Sequence, residues 1–303
     1  LTEKIYFSNL PVVYLDFDLA AVKADKSTYQ PGSMKMQGNA KYSKDSYLYT
    51  GATEVKGRGN TSWSQIKKPF KLKLDSKANI FNMGKNKHWV LLANATEGSL
   101  MRNEMAYKLS AAWGMTYQDG TWVDLVINGN YYGNYYLCEH IRIGSGRVEV
   151  ADIMDTADAA ADAIFAAGVI PDGVKKDMET YMEEHLGWIT SGQVTMNGAT
   201  VNVADYYSYD KQSLITGGYL LELEGYFDEV SKFRSSLNQP IMFNSPEFVN
   251  TNAAMETYMQ NFINSFERAI QQADFHTTYN CQKISAYDLF DLDNLYKYWL
   301  IEE

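Results

Sequence analysis

The sequence predicts an α+β fold. An antiparallel, β-rich N-terminal lobe carries one helix, and a partial, mainly helical lobe follows. Three observations carry this. Short alternating runs dominate residues 10–141, an Asn128-Gly129 pair sits between two apolar strands, and the longest amphipathic helix lies late, over 251–272. The strand from Val13 alternates, with Val13, Leu15, Phe17 and Leu19 on one face. Residues 24–31 read as a polar turn containing Pro31, and Met34 to Gly38 and Ala52 to Lys56 as short strands. Between them, 41–50 reads as a Tyr-rich loop or edge hairpin.

Gly57 and Gly59 form a Gly-x-Gly turn, a weak signal by itself, since most such pairs are plain turns. The next strand sends Phe70, Leu72 and Leu74 to one face and Lys71 and Lys73 to the other. Trp89 to Ala93 is a continuous apolar run and reads as a central strand. Ser99 is the expected N-cap of a helix reaching Trp113, with Met101, Met105 and Leu109 as its core face. Glu104 and Lys108 stand four apart on it, the spacing of ordinary surface pairing. Asn128-Gly129 then turns a hairpin.

The chain divides into a lobe at 1–150, a variable insert at 151–210 and a second lobe at 211–303. The insert carries two Ala-rich or acidic helices split at Pro171-Asp172-Gly173, then a polar strand pair around Asn197-Gly198. Gly217 to Glu224 reads as a strand, 227–246 as an irregular loop, and 251–272 as a helix with the stripe Met255, Met259, Phe262, Ile263, Phe266 and Ile270. The last helix, from about Asp291, is expected to be capped by Asp293 and to bury Leu295, Tyr296, Trp299 and Leu300. It stops without a C-terminal signal, which predicts a longer natural chain, and the start at Leu1 predicts a removed leader or boundary.

At 303 residues, 46% hydrophobic and 21% charged, the chain is long and apolar enough for a real core. A net charge of −10 argues against a nucleic-acid partner. No apolar run approaches the ~18 residues of a membrane span. The two cysteines read as buried small residues, and the four histidines show no metal-ligand spacing. Residues 56–73 hold Lys56, Arg58, Lys67, Lys68, Lys71 and Lys73 and no acid. Such a local cluster suits a phosphate, but on composition alone a solvated basic strand edge that resists aggregation is the favoured reading.

Six motifs in order are more specific: Arg58-Gly59-Asn60-Thr61-Ser62-Trp63, Lys67 to Lys73, Trp89 to Asn94, Ser99 to Asn103, the Asn128-to-Glu139 hairpin with its Tyr pairs, and Gly217-Gly218-Tyr219. Together they resemble the CotH (spore coat protein H) family. The resemblance implies an atypical kinase that uses ATP and Mg²⁺ to phosphorylate Ser or Thr of secreted or surface proteins, and the 23 tyrosines with plentiful Asn and Gly suggest that the chain itself is a secreted or cell-surface bacterial protein. It implies Arg58, Lys71 or Lys73, and Arg102 near the phosphates, Glu104 as ion-pair partner of the phosphate lysine, and Glu139 near a hinge to the adenine. It places the catalytic and metal-binding aspartates beyond Glu303, so Asp288, Asp291 and Asp293 read as helix-start residues. The competing readings are a nucleotide-binding pseudokinase and a surface module presenting Tyr131, Tyr132, Tyr135 and Tyr136 to glycans.

Overall fold

A computed structural model describes residues 8–96 and 98–302. The chain forms two compact units, residues 1–141 with 297–303, and residues 142–296.

The first unit is built on seven strands: β1 (Val12–Phe17), β2 (Gln30–Gln37), β3 (Thr50–Gly57), β4 (Phe70–Asn79), β5 (Lys85–Leu92), β6 (Gly120–Ile127) and β7 (Asn130–Glu139). They close into a barrel in the order β1-β2-β3-β4-β5-β7-β6. Six neighbour pairs are antiparallel; the seventh, β1 with β6, is parallel and runs from Val12↔Asp124 to Leu15↔Ile127. The expected sheet was purely antiparallel. Closure removes both sheet edges at the cost of one long-range parallel pairing. Leu15, Met34, Val55, Leu72, Trp89, Leu125 and Leu137 fill the interior. The hairpin forms as its sequence requires, with φ of 49° at Asn128 and 74° at Gly129. The Asn128 amide also pairs with both backbone groups of Phe17, at 3.1 and 3.0 Å, and so ties the turn to β1.

Two short helices, α1 (Leu19–Ala24) and α2 (Thr61–Ser64), join strands, and α3 (Arg102–Ala112) lies on the barrel's outer face. Pro31 proves to be inside β2, opposite Glu54, not in a turn. α3 starts at Arg102, later than expected, with Leu100 at φ 62° and Met101 at the N-cap. Its expected core face is turned outward: Met105 is 64% exposed, and Met101 and Leu109 are exposed too. The helix instead meets the barrel with Tyr107, whose ring lies 6.2 Å from that of Tyr136, and with Glu104 against Trp122. Period alone chose the methionine face, but the side chains whose polar tips find partners hold the helix.

The second unit contains α4 (Ile153–Ala167), α5 (Lys175–Glu184), α6 (Trp188–Ser191), β8 (Gln193–Met196), β9 (Ala199–Asn202), α7 (Lys211–Thr216), β10 (Leu220–Leu223), β11 (Lys232–Arg234), β12 (Pro240–Ser245), α8 (Ala253–Ile270), β13 (His276–Tyr279), β14 (Gln282–Ser285), α9 (Ala286–Leu289) and the start of α10 (Leu292–Glu302). Residues 151–210 share one core with the rest: Ile164, Met182 and Trp188 pack in the same cluster as Phe243, Met255 and Ile263. The expected loop at 227–246 contains two strands, and β12 is the middle strand of a three-stranded sheet. Its Ile241, Met242 and Phe243 are buried. The α8 stripe is buried at Met255, Met259 and Ile263, while Ile270 is exposed. On α10 the expected buried face is open, with Trp299 55% exposed. Asp291, not Asp293, caps this helix by accepting the Asn294 N–H at 3.0 Å. Asp288 closes a capping box with Ser285. Cys138 is buried as expected, but Cys281 is exposed.

Candidate functional site

The Gly-rich turn is built from its own residues. A Cβ on Gly57 would stand 2.7 Å from the Trp63 ring, and Gly59 adopts φ 74° with Ser62 Oγ 2.1 Å from where a Cβ would be. Gly57 therefore makes room for Trp63, which packs edge-on against Phe70 at 6.3 Å, and Gly59 supplies the left-handed turn. Lys26 pins the turn by donating to Gly59 O at 3.0 Å and Asn60 Oδ1 at 2.9 Å.

Between this turn, the end of β5 and the start of α3 lies a cleft of about 200 Å³. Arg58, Ser62 and Gln65 form one side, Leu92 to Thr96 another, and Asn103 a third. Two amides brace it: Asn103 Nδ2 donates to Asn94 Oδ1 at 2.7 Å, and Asn94 Nδ2 to Leu100 O at 2.8 Å. Asn94 holds φ 48°, a conformation asparagine tolerates better than most residues. The cleft thus offers a guanidinium, two hydroxyls and three amides, a set suited to an anion. The Tyr107 hydroxyl close by is pushed up chiefly by burial and secondarily by Cys138, with Arg58 pulling the other way.

Of the residues singled out from sequence, Arg58 lines this cleft. Lys71 and Lys73 both point outward, as expected, but their surroundings differ. Lys73 pairs with Glu54 at 2.8 Å and lies 5.6 Å from the Tyr29 ring. Lys71 stands opposite Lys56 and Val90, one residue pair along the strand from Gly57 and Phe70. Arg102 is the exposed first residue of α3. Glu104 goes to Lys108 at 2.6 Å and to Trp122 Nε1 at 2.6 Å, not to a strand lysine. Burial works to raise its pKa, but these two hydrogen bonds outweigh it and hold the carboxyl below its ordinary value. Glu139, 5% exposed at the end of β7, accepts the Asp119 N–H at 2.9 Å and so fixes the start of β6.

The rest of the basic run is absorbed by structure. Lys68 donates to Trp63 O at 2.6 Å, Lys67 to Asn134 O, and Lys56 lies 4.8 Å from the Tyr29 ring. Of the four tyrosines, Tyr135 and Tyr136 are buried, and Tyr131 donates to Asp124 at 2.9 Å. Sequence reasoning did not single out Ser62, Gln65, Asn94 or Asn103 as site residues. Their signal was position: polar side chains directly after a buried strand and at a helix start.

A family model described as CotH kinase protein matches residues 55–186. This stretch is similar to CotH-family sequence. It is less than half of the chain and holds every cleft residue. The CotH match continues through α4 and α5 and stops before Gly217-Gly218-Tyr219. No curated protein matches the chain.

Proposed function

We propose that this protein is an atypical protein kinase of the CotH type, with a kinase-like fold. It transfers the γ-phosphate of ATP to Ser or Thr of secreted or cell-surface proteins. Phosphoryl transfer asks a protein mainly for positioning and for charge stabilisation at the phosphates. The observation that carries the reading is the Arg58–Asn94–Asn103 cleft, formed beside a Gly-rich turn inside the CotH-matched stretch. Its volume suits phosphate groups and not a whole nucleotide, for which pockets of ~300 Å³ and more are usual.

Of the two strand lysines, Lys71 is the phosphate ligand in this reading. It lies two residues after Pro69, which lines the cleft just ahead of β4, while Lys73 is a further two residues along and held by Glu54. Glu104 positions α3 through Trp122 and does not pair with that lysine. The family implies Mg²⁺. Among the described residues no group of three or more His, Cys, Asp or Glu is arranged to hold a metal, and no carboxylate lines the cleft. The described residues therefore do not form a Mg²⁺ site, and no step is assigned to the ion.

The test is ATP affinity by calorimetry alongside phosphate incorporation into Ser and Thr of a general acceptor protein. Lys71→Ala is expected to weaken ATP by about tenfold or more, ~1.4 kcal/mol, while Lys73→Ala stays within about twofold. In a chain that includes the aspartates expected beyond Glu303, ATP binding without transfer would identify a pseudokinase, and equal losses in the two variants would overturn the lysine assignment. Nothing favours the glycan-binding module, because two of its four tyrosines are core residues.

A further inference from the structure

The connection from α1 to β2 reaches the Gly-rich turn through one side chain. Lys26 stands 33 residues ahead of Gly59. It lies in residues 24–31, a plain polar turn by sequence, and ahead of the CotH-matched stretch, which starts at residue 55. Its backbone is held by its neighbour. The Asp25 N–H caps α1 by donating to Ala21 O at 2.9 Å. The Asp25 carboxylate accepts the Ser27 N–H at 2.9 Å and the Thr28 hydroxyl at 2.5 Å. The Thr28 bond first, and the Ser27 bond second, hold this carboxyl below its ordinary value, so the loop stays bonded at neutral pH. With its backbone fixed beforehand, less of Lys26 remains to be ordered when its long side chain is held.

The stem of Lys26 runs over Gly57, where an added Cβ would stand 2.7 Å from Lys26 Cβ. Its ammonium ends on Gly59 O at 3.0 Å and Asn60 Oδ1 at 2.9 Å. Gly59 and Asn60 stand between Arg58 and Ser62, which both line the phosphate cleft. A trans peptide points its N–H opposite to its C=O, so holding Gly59 O sets the whole Gly59–Asn60 peptide. Gly59 is also the seat of the Ser62 hydroxyl, whose Oγ fills the space a Cβ would take. Glycine is the residue least restricted by its own sterics, so the turn needs an outside partner to keep one arrangement. Lys68 holds the far end of the segment through Trp63 O at 2.6 Å, and Lys26 holds the near end.

We propose that Lys26 is a positioning residue of the phosphate cleft. By taking Gly59 O and Asn60 Oδ1 it keeps Arg58 and Ser62 in the arrangement that meets phosphate oxygens. Lys26 lies outside the cleft lining and acts through the turn. This role rests on the phosphate reading of the cleft. A turn left in the binding arrangement about a fifth of the time binds about fivefold more weakly.

The test is calorimetric titration of the full chain with ATP. Lys26→Met keeps the stem over Gly57 and removes the ammonium, and should weaken ATP about fivefold. Lys26→Arg again presents donors to both acceptors and should restore affinity to within about twofold of wild type. Lys23→Ala removes an exposed cation from the last turn of α1 and separates contact from net charge. It should change affinity by less than about twofold. In the ligand-free chain the Trp63 amide, which donates to Asn60 O at 3.1 Å, should exchange its hydrogen faster in Lys26→Met. Equal ATP affinity in wild type and Lys26→Met, no recovery in Lys26→Arg, an equal loss in Lys23→Ala or unchanged Trp63 exchange would each overturn this role and leave the phosphate reading standing. No ATP binding by the wild-type chain would instead overturn the phosphate reading, and the role of Lys26 with it.

Discussion

Asn103 donates to Asn94 at 2.7 Å within the proposed phosphate cleft, joining two motifs nine residues apart. Asn103→Ala removes that bond and leaves an Asn94 oxygen without its donor. The expected loss is about 1 kcal/mol of stability, read as a lower denaturation midpoint, together with weaker ATP binding. Stability lost with ATP affinity unchanged would remove Asn94 and Asn103 from the proposed site. At this scale sequence showed which residues are charged but not where their charges go. Six cations between Lys56 and Lys73 form a ledge by count, yet Lys67 and Lys68 hold backbone carbonyls and Lys73 holds Glu54. Partners such as Asn134 and Glu54 come from other strands, so no window around the lysines contains them. Alternation did place Lys71 and Lys73 outward, because side-chain direction along a strand is a local property.

The α4–α5 pair shows what an element can hide. Asp158 on α4 and Glu183 on α5 both have raised pKa values, chiefly from burial; for Glu183 the next cause is the Asp158 charge, for Asp158 it is Glu179. One Asp158 oxygen is buried without a hydrogen-bond partner. Lys176 opposes both shifts while pairing with Glu179 at 3.2 Å, and Asp155 adds a further negative charge beside Asp158. A carboxyl whose pKa is raised by folding favours the folded state when protonated, and that contribution is lost as pH rises through the folded value. Stability of this unit should therefore gain from these two groups on acidification from neutral pH toward their ordinary carboxylate range. Glu183→Gln should raise the denaturation midpoint at pH 7 by about 1–3 °C, with the gain shrinking below pH 4; an equal gain at both pH values would rule out the charge explanation. The element ends here were legible, since Pro171 to Gly173 marks the break and both helices form. The start of α3 and the strands β11 and β12 were not. Ser99 looked like a cap, and β12 offers only a three-residue buried run, too short for periodicity to separate from a loop.

Among the described residues the two large hydrophobic cores are the barrel interior around Trp89 and Leu125 and the mixed core around Phe243 and Met255, with a smaller cluster of Val90, Leu92, Tyr136 and Cys138 meeting Tyr107 of α3. The α+β class was readable because turn and strand signals are local. Barrel closure was not, because it depends on Val12 finding Asp124 in parallel, a pairing with no turn to announce it. The separate cores predict separate unfolding. Leu125 and Phe243 are each fully buried, one in each core. Leu125→Ala should cost the barrel about 2–5 kcal/mol and Phe243→Ala should cost the other unit about 3–5 kcal/mol. Calorimetry should then show two transitions, with each substitution lowering one by several degrees and leaving the other in place. A single transition lowered by both substitutions would mean that the two cores unfold together, and the barrel could then no longer be treated as an independent platform for its cleft.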